Sequence, residues 1–335
     1  MTIRKIAGLA LVSLIPALAA CGGGSSTRPD ESATLLLDFQ PNAVHTGIYT
    51  ALDRDFTGAE GVHLTVRAPG QSTDPTRLLL TDRVKFAVLD IHDLALARAK
   101  GRDLVGVMAI VEDPLAAVIA QPNIATPKDL QGKRVGVTGL PSDIAVLDSI
   151  VRGAGGDPAK VRRTTIGFDA VPAILGGKVA GATAFWNAEG VALQAKRPKI
   201  HAFRVEDYGA PAYPELVLTV TRTTLQDDPN LVEATVTALQ RGYRATISDP
   251  ESAVQALVKA NPGLDAKLAT TQLAAVQSAF LAPSGAIGTL DTRSLARWAQ
   301  WEQRFGIVRE RPNVALMFAP RFAQQGAARA AMNDG

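Results

Sequence analysis

Short apolar runs alternate with stretches of helical periodicity through most of the chain. Strands that alternate with helices predict βαβ units and a mostly parallel sheet. We predict strands at residues 34–39, 62–68, 86–90, 104–111, 116–121, 161–166, 181–185 and 200–204, with helices near 47–54, 74–80, 94–100, 144–154 and 171–175 between them.

The apolar run at 215–221 predicts a strand that returns to the first half of the chain, and the remainder has a helical pattern. A lobe interrupted by a second lobe gives an α/β protein with two lobes joined at a hinge. Such lobes can close about a solute. We predict lobe I at 34–118 and 214–320, lobe II at 119–213, and a disordered tail at 321–335.

The first residues predict export rather than fold. Arg4 and Lys5 precede an apolar run at 6–20, which is typical of a signal peptide at 1–21. The run ends in Leu18-Ala19-Ala20-Cys21, which resembles the bacterial lipobox and implies acylation of Cys21. A flexible linker at 22–33 follows, so the folded part is expected outside the cytoplasm, anchored to the membrane by lipid.

Composition narrows the possible partners. The 335 residues carry a formal charge of only +3, without a basic stripe interleaved with aromatic residues, which argues against nucleic-acid binding. Cys21 is the single cysteine, so a thiolate metal cluster and an intrachain disulfide are excluded. We predict neither cofactor nor metal, and a monomer.

Candidate binding residues lie where predicted strands end, because ligands of open α/β sheets bind at the carboxyl ends of the strands. Structural roles remain open for several of them: Phe39 could be core, strand alternation puts either Phe185 or Trp186 in the core, and His45 could only cap a helix. Tyr213, at the predicted crossover, has the same two possibilities. The candidates are Phe39, Asn42, His45, Asp90, Thr138, Gly139, Phe185, Trp186, Asn187, Glu189 and Tyr213.

Two stretches, 37–47 and 181–190, resemble the NMT1/THI5-like group of solute-binding proteins, and most of all its ThiY-type members, which bind thiamin pyrimidine precursors. The pattern at 126–137 is typical of the wider group, which includes sulfonate and nitrate binders. The resemblance implies a type II periplasmic-binding-protein fold that delivers its ligand to an ABC transporter permease. It also implies that Phe39 and Phe185 contact the ring, where the group more often has Trp and Tyr, and that Glu189 binds its edge.

The resulting prediction is a non-enzymatic binder of a small heteroaromatic, such as hydroxymethylpyrimidine or formylaminopyrimidine. Two aromatic faces can enclose a planar ring, and a carboxylate can accept from an exocyclic amine and a ring N–H. Alternatives are riboflavin, or an aliphatic sulfonate, nitrate or taurine-like solute, although an anion would call for Arg or Lys in the cleft. A THI5-like pyrimidine synthase is disfavoured, because those eukaryotic relatives use iron and a Cys-rich motif that this sequence lacks.

Overall fold

The computed structural model describes residues 31–70 and 74–333, and the predicted signal peptide with Cys21 lies outside them. Strands and helices alternate as the sequence pattern predicts. The strands are β1 (Glu31–Leu36), β2 (Val62–Arg67), β3 (Phe86–Asp90), β4 (Leu104–Ala109), β5 (Ala116–Ala120), β6 (Arg134–Val137), β7 (Arg162–Thr165), β8 (Gly181–Phe185), β9 (His201–Arg204) and β10 (Leu216–Thr221).

The α-helices are α1 (Thr46–Asp53), α2 (Phe56–Ala59), α3 (Pro75–Leu80), α4 (Ile91–Ala99), α5 (Pro141–Gly153), α6 (Ala170–Leu175), α7 (Val191–Lys196), α8 (Arg222–Asp227), α9 (Pro229–Ser248), α10 (Pro250–Ala260), α11 (Ala266–Val276), α12 (Thr292–Arg304), α13 (Val314–Met317) and α14 (Pro320–Asn333). Single turns of 3₁₀-helix cover Ala43–His45, Pro127–Leu130, Pro158–Lys160, Val205–Tyr208 and Gln277–Phe280, and a π-helical turn covers Trp186–Gly190.

The first sheet has the order β2-β1-β3-β10-β4, and β10 alone runs antiparallel to its neighbours. Pairing with β2 begins at Glu31, so the last residues assigned to the linker are already strand. Parallel strands buried on both faces read as continuous apolar runs, and Phe86-Ala87-Val88-Leu89 in β3 is such a run.

The second sheet has the order β7-β6-β8-β5-β9, and here β5 runs antiparallel to its neighbours. The chain therefore crosses between β4 and β5 and returns before β10. The predicted boundary after residue 118 falls inside β5, all of which pairs in the second sheet. We call the first sheet with its helices lobe I, and the second sheet with its helices lobe II.

The helices after β10 return to lobe I, as the sequence pattern predicts. A buried apolar core continues from lobe I into lobe II, and it contains Leu36, Val118, Leu147 and Trp298. The lobes therefore share packing at the hinge. Within the described ranges, no helix is long and apolar enough to cross a membrane.

The prediction of a disordered tail needs correction, because α14 occupies Pro320–Asn333 and packs on α9 and β4. Phe322 and Ala323 are buried. The side chain of Gln240 in α9 donates to the carbonyl of Ala323 at 2.8 Å. Phe322 and Ala323 thus give this helix an apolar face that packs on lobe I. The small and polar residues that follow them made this face hard to predict from the sequence.

Candidate functional site

A cavity opens between the two lobes at the carboxyl ends of β1, β3, β6, β7 and β8. With its mouth it encloses about 800 Å³ of empty space. Its polar and aromatic lining comprises Asp38, Phe39, Asp90 and Asp93 from lobe I, and Thr138, Ser142, Asp143, Phe168, Thr183, Phe185 and Glu189 from lobe II. We call it the interlobe cavity.

Aromatic rings from both lobes line this cavity. Phe39 follows β1 and meets Phe168, which follows β7, edge to face, with 4.7 Å between ring centroids and 81° between ring planes. Phe185 ends β8 and lines the same space. Phe39 and Phe168 thus form one continuous aromatic wall, against which a flat ligand ring could pack.

Phe168 was missed by the sequence analysis, although a signal existed. Gly167-Phe168-Asp169 follows a predicted strand, just as Asp38-Phe39 follows the first strand. An aromatic residue at the carboxyl end of a parallel strand is a candidate wherever it occurs.

Glu189 reaches the cavity from the π-helical turn that follows β8. Its Oε2 accepts the backbone N–H of Phe185 at 3.2 Å. Burial, with smaller contributions from Asp143 and Asp38, raises the pKa of Glu189 to about 7. The turn therefore holds a carboxyl group that has little solvent to stabilise its charge, and no Lys or Arg is among the described residues that line the cavity with it.

Asp38 reaches the cavity from the segment after β1, and His45 holds it there. The carboxylate Oδ1 of Asp38 lies 2.9 Å from His45 Nε2. His45 is itself fully buried, and Asn42 caps the same turn by accepting the N–H of Val44 at 3.0 Å. The Asn42–His45 turn thus fixes the position of Asp38.

Asp90 and Asp93 form the lobe I wall near the hinge. Asp90 caps α4 by accepting the N–H of His92 at 2.7 Å, so this helix begins three residues before the predicted start. Asp93 accepts the hydroxyl and the N–H of Ser142, at 3.1 and 3.3 Å, and so joins lobe I to the first turn of α5. Burial raises the pKa of Asp90, and it raises that of Asp93 to about 6.

The charge of the lining is one-sided. Five carboxyl side chains line the cavity (Asp38, Asp90, Asp93, Asp143 and Glu189), and none of the described lining residues is Lys or Arg. Burial raises the pKa of Asp143 as well. Because desolvated carboxylates repel anions and stabilise cations and N–H donors, the lining suits an amine-bearing solute.

Six of the predicted residues do not line the interlobe cavity, and three of these lie near the starts of α1 and α5. Asn42 lies beside a shallower hollow that also touches Phe39 and Glu189. Gly139 instead provides a turn with φ +103°, where a side chain would be strained. His45 is buried behind Asp38, because its turn folds the ring inward.

Trp186 and Asn187 also face away from the interlobe cavity. Trp186 donates its indole N–H to the carbonyl of Pro114 at 3.0 Å. The guanidinium carbon of Arg204 lies 3.9 Å from the centroid of the Trp186 ring, and both residues line a different hollow. Asn187 is fully buried. The reason is local: strand alternation and the π-helical turn direct Phe185 and Glu189 to the cavity and direct Trp186 and Asn187 away from it.

The predicted placement of Tyr213 also needs correction, because its side chain is fully buried at the hinge and does not line the cavity. Its ring stacks on Trp301, with 5.9 Å between centroids, and its hydroxyl lies 3.1 Å from His92 Nε2. His92 Nδ1 contacts Glu302. These contacts make Tyr213 part of a buried polar cluster.

This hinge cluster comprises His92, Tyr213, Glu215 and Glu302. Glu215 accepts the N–H groups of Leu115 and Ala116, at 2.5 and 2.8 Å, where the chain enters lobe II. Burial opposes the charge of His92, but Glu302, Asp90 and Glu215 outweigh burial and raise the pKa of His92 to about 10.

Asp90, His92 and Glu215 also offer ligand atoms that lie within 4.8 Å of one another, a spacing that could hold a metal ion. When its ring is protonated, His92 instead supplies positive charge to Glu302, Asp90 and Glu215, the groups that raise its pKa. The cluster thus works as an internal ion network at the hinge.

Comparison with known proteins identifies the family of the chain. The family described as "NMT1/THI5 like" matches residues 42–253, well over half of the sequence. The chain belongs to the NMT1/THI5-like family. The predicted resemblance is therefore confirmed.

Among the relatives of this NMT1/THI5-like protein is a formylaminopyrimidine-binding protein from Halalkalibacterium halodurans, 29% identical over 304 residues, which cover 89% of this chain and 92% of the relative. A 4-amino-5-hydroxymethyl-2-methylpyrimidine phosphate synthase from Legionella pneumophila is 28% identical over 236 residues, or 69% of this chain and 74% of the relative. The relatives of this chain therefore include a protein named as a binding protein and one named as an enzyme.

The alkanesulfonate-binding protein SsuA from Xanthomonas axonopodis superposes with a TM-score of 0.68 at 14% identity, covering 86% of this chain and 98% of that one. This likeness and the two sheets confirm the predicted type II periplasmic-binding-protein fold. Together, the relatives and the fold support a solute-binding protein.

Proposed function

We propose that this chain is the lipid-anchored solute-binding component of an ABC importer and that it takes a small amine-bearing heteroaromatic of the thiamin-pyrimidine type. The observation that carries the proposal is the interlobe cavity, which combines three phenyl rings with five carboxyl groups and no described Lys or Arg. The formylaminopyrimidine-binding relative supports the same ligand class.

The rings of Phe39, Phe168 and Phe185 line the cavity and contact the ring of the ligand, and offset or edge contacts contribute about 0.5–1.5 kcal/mol per pair beyond burial. Glu189 accepts from the exocyclic amine and, once ionised, makes the stronger charge-assisted hydrogen bond. Thr138, which directly follows β6, adds polar contacts.

Anionic solutes fit this lining poorly. A sulfonate or nitrate placed among Asp90, Asp93 and Asp143 would meet three carboxyl groups and no described cation. Proteins of this fold can therefore bind ligands of either charge, because the residues that line the cavity, and not the fold, determine which charge is accepted.

The binding test is calorimetry of the full-length chain in detergent against hydroxymethylpyrimidine, formylaminopyrimidine, riboflavin, taurine and nitrate. We expect saturable binding of the pyrimidines and none of the two anions. Tighter binding of riboflavin would replace the proposed ligand, and binding of an anion alone would refute the proposal. Incubation of the purified chain with the pyrimidine and analysis of the products would reveal turnover, which we do not expect from a protein whose single cysteine is Cys21.

The anchor and the partner are part of the proposal. Acylated Cys21 would tether the protein, as a monomer, on the outer side of the membrane beside its permease. Labelling cells with a radioactive fatty acid tests this: the wild type should carry label and Cys21→Ser should not. Equal labelling of both would contradict the anchor while leaving the ligand proposal intact.

A further inference from the structure

The two ring nitrogens of His45 have different, fixed roles. Nδ1 lies 3.2 Å from the backbone nitrogen of Asn42 and accepts its N–H. The proton of a neutral ring is therefore on Nε2, which lies 2.9 Å from Asp38 Oδ1 and donates to it. His45 is fully buried and does not touch the cavity, so it can act on a ligand only through Asp38.

Asp38 is left with a free acceptor toward the cavity. Its contact with His45 is the single hydrogen bond that its carboxylate makes among the described residues, and it engages Oδ1 alone. The side chain is 11% exposed and lines the cavity. A carboxylate has about four acceptor positions, so Oδ2 can accept from a bound solute.

Glu189 has the same arrangement in lobe II. One of its oxygens, Oε2, accepts the N–H of Phe185 from its own lobe. Asp38 and Glu189 are close enough for the charge of Asp38 to add to the pKa rise of Glu189. Each lobe therefore presents one carboxylate to the cavity, with one oxygen held by a donor from the same lobe.

We infer that His45 is a positioning residue and that Asp38 is a second acceptor, which selects heteroaromatics carrying an additional amine-type donor beyond the one bound by Glu189. This inference rests on the proposed function and deepens it. A ligand with donors on two edges would connect the two lobes, whereas a ligand with one donor edge would leave Asp38 buried and unpaired. A site built to hydrogen-bond a group discriminates strongly against an analogue that lacks it.

The test uses two probes that differ at one ring substituent: 4-amino-5-aminomethyl-2-methylpyrimidine, whose aminomethyl group is a cationic donor near pH 7, and 4-amino-2,5-dimethylpyrimidine, whose methyl group cannot donate. The readout is the ratio of their affinities by calorimetry on the full-length chain. For the wild type we expect the aminomethyl compound to bind at least about tenfold tighter, as for a charged hydrogen bond.

Two replacements of His45 separate positioning from local folding. In His45→Asn the amide oxygen can still accept the Asn42 N–H, but no donor reaches Asp38. In His45→Gln the longer amide can still donate to Asp38. We expect His45→Asn to reduce the affinity ratio to near one and His45→Gln to restore most of it. His63→Asn, at an exposed position of β2 in the same sheet, is the control and should leave the ratio unchanged.

Asp38→Asn completes the cycle and keeps the test informative if a His45 variant folds poorly. It should lower the ratio by itself, and adding His45→Asn should then lower it no further. An unchanged ratio in Asp38→Asn, or equal loss of both probes in His45→Asn, would overturn the inference. If neither probe binds the wild type, the proposed function fails instead, which is a separate outcome.

Discussion

The interlobe cavity and the hinge cluster both bury carboxyl groups, but only the hinge cluster contains a cation. At the hinge, His92 contacts Glu302 and lies 3.9 Å from Glu215, and all three side chains are fully buried. In the cavity, Glu189 and Asp143 have only N–H and hydroxyl donors near them. A buried carboxyl group with a cation beside it can have a purely structural role. A buried carboxyl group without such a partner can instead be neutralised by a positively charged or N–H-donating ligand.

The largest effect is expected when the cation is removed from the hinge cluster. His92→Gln leaves Glu215 and Glu302 without a positive charge, and breaking a buried pair in this way costs about 3–5 kcal/mol. We expect the free energy of unfolding, measured with urea near pH 7, to fall by that amount. Lys100→Gln removes an exposed charge just after the same helix and should change it little.

The pH dependence of that loss provides a check. Because the pKa of His92 is raised from 6.5 to about 10, its contribution is fully present below pH 6.5 and disappears as the pH rises through 10. The difference in stability between the wild type and His92→Gln should therefore shrink as the pH rises from 6.5 to 10 and stay small above pH 10. A difference that stays constant would contradict the imidazolium.

The corresponding change in the cavity should affect binding instead. Glu189→Gln is expected to weaken binding of an aminopyrimidine by about 1.5–3 kcal/mol, the range for a lost hydrogen bond to a charged group. Calorimetry measures this loss. Asp169→Asn makes the same charge change beside the cavity without lining it and serves as control. Unchanged affinity in Glu189→Gln would remove that residue from the site.

The aromatic contact across the lobes should have a smaller effect. Phe168→Leu keeps apolar bulk but removes the edge-to-face partner of Phe39, for an expected loss of about 0.5–1.5 kcal/mol in affinity. Phe305→Leu, which alters a ring outside the cavity, is the matched control. If Phe168→Leu binds as tightly as the wild type, the ring of Phe168 does not contact the solute.

The last test concerns the pH dependence of the stability of the ligand-free protein. The pKa of Glu189 is raised from 4.5 to about 7, so between these values the folded state binds more protons than the unfolded state. Its contribution therefore makes stability fall as the pH rises through that window. Glu189→Gln should make the stability curve flatter between pH 4.5 and 7, measured by urea midpoints. An identical slope in both proteins would contradict the raised pKa.

The sequence predicted those features that depend on local pattern and strand order. Phe39, Asp90, Phe185 and Glu189 were expected near a cleft because the carboxyl ends of parallel strands meet at one edge of each sheet, and all four line the cavity. That they bind a solute stays a prediction.

Long-range contacts were beyond the reach of the sequence. His92 and Glu302 are 210 residues apart, so their pairing, and with it the burial of Tyr213, leaves no local signal. Asp93 was missed for the same reason, because its role depends on Ser142 in the other lobe. The direction of Trp186 depended on a π-helical turn, which apolar periodicity does not reveal.

The first turn of α5 lacks a side-chain cap of its own, since Leu140 precedes it, and Asp93 of lobe I takes the Ser142 N–H instead. Separating the lobes would expose this amide to water and let the turn fray. Hydrogen–deuterium exchange at the start of α5 should then act as a built-in gauge of solute occupancy, slow when the protein is loaded and fast when it is empty.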